Sequence, residues 1–161
     1  ELECYGKDGA LLEAIGTERT PLVDLVCGSL GQGLSGAIGF ALAAHLDGED
    51  RNTYVFVSDG EMQEGQTWEA AMFAAHNRHR MGRLVMVVDA NGSQVDGPVL
   101  SVLPIEPLAG KWRSFGWRVL EVDGHDVDAL STAIASADGH FIKLDPALER
   151  ALLAELEAAL A

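Results

Sequence analysis

Two short stretches of the chain are unbroken apolar runs, Tyr54-Val55-Phe56-Val57 and Leu84-Val85-Met86-Val87-Val88. Rich in β-branched and aromatic residues, they predict buried strands. Between them, residues 65–78 place Trp68, Ala71, Met72 and Ala75 on one helical face. The pattern predicts strand, helix, strand. In a right-handed parallel unit both strands end on the same sheet edge, where open α/β sheets hold ligands. Upstream, residues 22–27 read as a further strand and residues 28–33 as a Gly-rich turn. Residues 34–46 follow as an almost uncharged helix with Ser35 as its cap. Downstream the reading is a loop over residues 92–107, broken by Pro98, Pro104 and Pro107, then a helix over 108–115. A strand over 117–122, a helix over 127–137 and an amphipathic helix over 146–160 complete the pattern.

The two strand ends carry the chemistry. Asp59 stands on a turn after the first strand and Asn91 on a turn after the second, offering two hard oxygens, to which the carbonyl of Ser93 adds a third. Such a set suits Mg²⁺, which takes few protein ligands and completes its shell with water and phosphate oxygens. Gly60 leaves backbone N–H groups open to a phosphate. The competing reading is an Asp turn and an Asn-Gly turn with no ligand.

Composition narrows the partners. A chain of 161 residues with 48% apolar residues and 18 glycines is one globular domain's worth. Its net charge of −14 argues against nucleic acid or an anionic membrane as a general partner. Cys4 and Cys27 form no close-spaced pair, and no secretory pattern opens the chain, so a cytoplasmic protein is expected. Residues 25–46 lack Asp, Glu, Lys and Arg, but five glycines there speak for a turn and a buried helix rather than a membrane span. Gly31-x-Gly33-x-x-Gly36 matches a dinucleotide fingerprint, yet Asp59 lies later than the acid about 20 residues on that such a site uses. His76 and His79 are crowded by Arg78, Arg80 and Arg83, which disfavours a metal there.

Asp59-Gly60 with Asn91 roughly thirty residues on resembles the thiamine diphosphate-binding signature. More narrowly, SDGEMQEGQTWEAAMFAAH and GSLGQGLSGAIGFALA resemble the transketolase family, especially the amino-terminal subunit of transketolases split over two chains. Ser58 stands where that family usually has Gly. The resemblance implies a three-layer α/β sandwich, a mostly parallel sheet with helices on both faces, as a single domain over residues 1–161. It implies thiamine diphosphate and Mg²⁺, with Asp59, Asn91 and Ser93 on the metal. Gly28, Leu30, Asp59, Gly60, Glu61 and Asn91 would contact the cofactor. Glu64, and with it Glu69, would join a carboxylate network between active sites. His140 would approach the diphosphate or substrate, whereas His125 in the DGHD stretch is given no catalytic role.

The family's reaction transfers a two-carbon ketol unit from a ketose to an aldose. The glutamate that activates the cofactor belongs to a pyrimidine-binding domain with no room here, so a carboxy-terminal partner subunit is expected, in an α₂β₂ assembly. Segments upstream of residue 1 and between residues 139 and 140 are expected to be absent relative to the family. Two other readings stand beside this one. The first is a subunit of another thiamine enzyme, of 2-oxoacid dehydrogenase or deoxyxylulose-phosphate synthase type. The second is a non-catalytic NAD-binding or regulatory module.

Overall fold

A computed structural model describes residues 2–12, 16–17, 19–137 and 140–144. The predicted helix over 146–160 lies outside them. Four parallel strands form the sheet: β1 (Asn52–Ser58), β2 (Arg83–Asp89), β5 (Arg118–Val122) and β6 (His140–Leu144), in the order β1-β2-β6-β5. A two-residue ribbon, β3 (Ser93–Gln94) with β4 (Gly97–Pro98), stands apart from it. Around the sheet run α1 (Gln32–Asp47), α2 (Gly65–His76), the single turn α3 (Val99–Val102), α4 (Leu108–Ser114) and α5 (Val127–Ser136). The proline-rich stretch after Asn91 thus holds a ribbon and a helical turn where irregular loop was expected.

β2 shows why the sheet is covered on both sides. Its side chains alternate between faces, and all five from Leu84 to Val88 are buried. Leu84, Met86 and Val88 join Val55, Val57 and the buried residues of α1, α2 and α4 in the larger core. Val85 and Val87 point the other way, against Ala133 and Ala137 at the end of α5. The three-layer α/β sandwich is therefore present. β6 is a strand that the sequence pattern did not assign; it pairs with β2 on one side and β5 on the other.

Other elements differ from the pattern's forecast for local reasons. Residues 22–27 form no strand, because Leu22 takes a φ of 65°, which breaks an extended run. The segment instead lays Leu25 against Gly36 of α1, where a β-carbon would collide with it. Ser35 lies within α1 and is not its cap; Gly31, at φ 83°, starts the helix with no side-chain cap. In α2 the buried stripe is Thr67, Ala70, Ala71 and Ala74, one position round from the expected face, so Met72 is exposed. β1 is buried on one face only: it is an edge strand of the described sheet, and Phe56 is 67% exposed.

Three indoles fasten the second half of the chain to α2. Trp112 has no exposed surface; its ring lies 5.4 Å from Trp68 and 5.1 Å, edge-on, from Trp117. The Trp117 indole donates to the Ala71 carbonyl at 3.0 Å in the core, and Trp68 donates to the Met62 carbonyl at 2.9 Å. Trp112→Ala should lower unfolding free energy by about 3–5 kcal/mol through the cavity it leaves. Trp117→Phe, which removes one buried hydrogen bond and keeps most of the ring, should cost about 1–2 kcal/mol. Denaturant titrations of both variants test this ranking.

Candidate active site

The parallel register of β1 and β2 sets Ser58 level with Asp89, so the turns that follow meet at one sheet edge. There the Asp59 N–H donates to the Asp89 carbonyl at 3.0 Å, and Gly92 N–H donates to Asp59 Oδ2 at 2.7 Å. Gly92 is flanked by Asn91 and Ser93, so the three residues predicted to share a cation are brought together. Asn91 is held in turn: its Nδ2 donates to Asp89 Oδ2 at 3.1 Å, and its Oδ1 accepts from Ser93 N–H at 2.8 Å. An amide oxygen keeps a second lone pair for a further contact.

Asp59 is the anomaly of the site. It is 2% exposed, and its Oδ1 is buried with no hydrogen-bond partner. Burial pushes its pKa above the ordinary carboxylate value; hydrogen bonds from Gly92 and Gly60 pull it back in part, and the nearby Asp89 carboxylate adds to the rise. A desolvated acceptor aimed at nothing is costly unless a cation meets it. The Gly60 N–H, expected to be free for a phosphate, lies near enough to the Asp59 carboxylate to lower its pKa. Among the described residues no group of three His, Cys, Asp or Glu side chains could cage a metal. The donors present are instead one carboxylate oxygen, an amide oxygen and main-chain carbonyls, a set that fits Mg²⁺.

A second turn is tied to this edge. Gly31 N–H donates to Glu61 Oε2 at 3.0 Å, so residues 28–31 sit beside the turn that carries Asp59. Gly31 needs to be glycine: its φ is 83°, and a β-carbon would stand 2.8 Å from Cβ of Glu64. Gly28 and Leu30 are exposed on this turn, Leu30 by half its surface. The β3–β4 ribbon closes the other side through Gln94, whose Oε1 accepts from Gln63 at 2.8 Å, and Val95 at its tip is fully exposed. The side-chain bond from Glu61 to Gly31 escapes sequence reading, which names Glu61 only as a cofactor contact. A carboxylate two residues after Asp59 and a Gly-rich turn thirty residues earlier carry no shared local signal.

Glu64, Glu69 and His140 complete the predicted set. Glu64 and Glu69 are exposed, Glu64 beside the Gly31 turn. His140 opens β6 opposite Arg118, at the amino-terminal edge of the sheet, whereas Leu144 is the β6 residue level with Asp89. The parallel direction of β6 therefore carries His140 away from Asp59, in place of the expected approach to the diphosphate.

Gly31→Ala should destabilise the fold by at least about 1–2 kcal/mol, the cost of a left-handed conformation with a β-carbon, measured by thermal or denaturant unfolding. For Asp59, a raised folded-state pKa means that the unfolded chain loses its proton first as pH rises. Without divalent cations, the wild type should lose stability from about pH 4 upward, through the raised value. Asp59→Asn removes that slope. Unfolding midpoints of the two proteins should diverge in the variant's favour as pH rises toward about 7.

Residues 15–148 match the family described as transketolase, thiamine diphosphate binding domain. A 6-deoxy-6-sulfo-D-fructose transketolase subunit, SqwG, of Clostridium sp. (strain MSTE9) is 42% identical over 137 residues, covering 84% of this chain and 49% of that protein. An apulose-4-phosphate transketolase subunit of Phocaeicola vulgatus is 37% identical over 136 residues, covering 84% of this chain and 48% of that one. The chain spans about half the length of these relatives. Among solved structures, a variant Pichia stipitis transketolase in complex with fructose 6-phosphate superposes with a TM-score of 0.75 at 27% identity, over 89% of this chain and 23% of that one. The transketolase of Leishmania mexicana gives a TM-score of 0.70 at 29% identity, over 89% and 24% of the two chains. This chain belongs to the transketolase family, within its thiamine diphosphate-binding domain.

Proposed function

We propose that this chain is the diphosphate-binding half of a two-chain transketolase that moves a two-carbon ketol unit from a ketose to an aldose. The observation that carries the reading is the orphaned, buried Oδ1 of Asp59 beside the Asn91–Ser93 turn. Asp59, Asn91 and the Ser93 carbonyl would hold Mg²⁺, whose charge offsets the burial of the Asp59 carboxylate. Gly60 and Glu61 would present backbone N–H groups to the diphosphate. Gly28 and Leu30 would lie against the flat rings, Leu30 gaining apolar cover for its exposed half. When bound, thiamine diphosphate supplies the nucleophilic carbon that breaks and remakes the bond beside a ketose carbonyl.

The protein's part is orientation. The Glu61–Gly31 hydrogen bond fixes the distance between the turn meant for the rings and the turn meant for the diphosphate. Exposed Glu64 and Glu69 suit a carboxylate network completed only where two chains meet. Two relatives are named as subunits, which supports a partner chain; it would carry the pyrimidine-binding domain, in an α₂β₂ assembly. Both are named for sugars bearing an anionic group, a sulfonate or a phosphate, which supports an anionic sugar substrate here.

Calorimetric titration of thiamine diphosphate tests the reading, with and without Mg²⁺, into the chain alone and mixed with the product of a neighbouring gene. Binding should require Mg²⁺, tighten with the partner, and fall by at least about tenfold in Asp59→Ala. A folded chain that binds nothing in either mixture overturns the proposal. Glu61→Ala should weaken cofactor binding by about 1–2 kcal/mol while its Mg²⁺ dependence persists, since the lost bond holds the turn and not the metal.

A further inference from the structure

The amino-terminal edge of the sheet, the length of β2 or roughly 20 Å from Asp59, carries a hollow that the proposed chemistry does not use. It encloses about 470 Å³. Buried Met81, Leu84 and Trp117 make its floor, and exposed Arg78, His79 and Arg118 make its rim. Arg78 and His79 come from a short 3₁₀ turn after α2, and Arg118 opens β5. Separate parts of the chain thus converge on one concavity.

The charge around it runs against the rest of the molecule. The sequence holds 25 Asp and Glu against 11 Lys and Arg, yet Arg78 and Arg118 both line this hollow, and Arg80 and Arg83 stand near Arg78 in sequence. No acid interrupts residues 76–83. Among the described residues none of the four arginines pairs with a carboxylate; Arg51 and Arg113 do. Like charges held together repel, and a surface selected for solubility alone intersperses its signs. The repulsion is relieved when an anion enters.

We propose that this hollow is a binding site for a small phosphate-bearing molecule, with an apolar part of the ligand on the Met81, Leu84 and Trp117 floor. Guanidinium forks match phosphate oxygens in geometry, and two of them match a dianion in charge. The volume is that of a small-molecule pocket. A concave site with a buried indole in its floor favours such a ligand over an extended polyanion, which the chain's net charge of −14 would repel.

The test is amide chemical-shift mapping of the whole chain, with a chelator present to keep divalent cations from the Asp59 edge. Inorganic phosphate, adenosine, adenosine monophosphate and citrate serve as probes. Adenosine monophosphate should shift residues 78–84 and 116–118 saturably and bind more tightly than phosphate or adenosine. The double variant Arg78→Ala, Arg118→Ala should weaken it by at least about tenfold, while Asp59→Ala leaves it unchanged. Unaltered binding in the double variant, or shifts confined to the Asp59 edge, would overturn the proposal. So would citrate binding as well as the phosphates, which would remove the phosphate preference.

Discussion

The parallel pairing of β1 with β2 decides where every functional group can stand. With Ser58 opposite Asp89, the chain leaves both strands at the same height, and the turns beyond them have no choice but to touch. A slip of one residue would turn Val55 and Val57 out of the core and send Phe56 in, so the buried face enforces the register. The hydrogen bond from Gly92 to Asp59 follows from that alignment. The core thus sets the geometry of a site whose residues contribute little to the core.

Stability and function pull against each other at Asp59. Burying a carboxylate with one oxygen unpartnered works against folding. Trp112, Trp117, Leu84, Met86 and Val88 share one core and supply the opposing stabilisation. A cation at Oδ1, as proposed above, would meet a carboxylate already taken out of water. The same reasoning explains why Gly31 and Glu61 are coupled. A turn in the left-handed region needs an anchor, and the Glu61 carboxylate provides one beside the cofactor edge.

Much of this was legible in the residues. The apolar runs that became β1 and β2 announced themselves by composition and length, and the acids and amides at their ends by position. Other features depended on contacts between distant segments, which periodicity cannot express. The face of α2 was misjudged by one position because Trp68 and Met72 are large and apolar, while the helix buries small residues, Ala70, Ala71 and Ala74, close against its neighbours. Residues 22–27 have a strand's composition, but the left-handed Leu22 and the empty notch at Gly36 draw them onto α1. β6 was missed because HFIKL is short and mixed; its place is made by the gap between β2 and β5. That same placement decided the position of His140, at the amino-terminal end of β6 opposite Arg118.

The open flank of β1 has a consequence for handling the molecule. Its outer backbone groups have no neighbouring strand among the described residues, and Tyr54 and Phe56 lie exposed along the same strand. Proteins ordinarily blunt such a border with lysine, proline or a bulge, and β1 between Asn52 and Ser58 has none of the three. Prepared by itself at high concentration, the chain would meet other copies of itself along that border. Loss of material to assembly would then compete with every solution measurement, and low concentration or a partner covering that border would limit it.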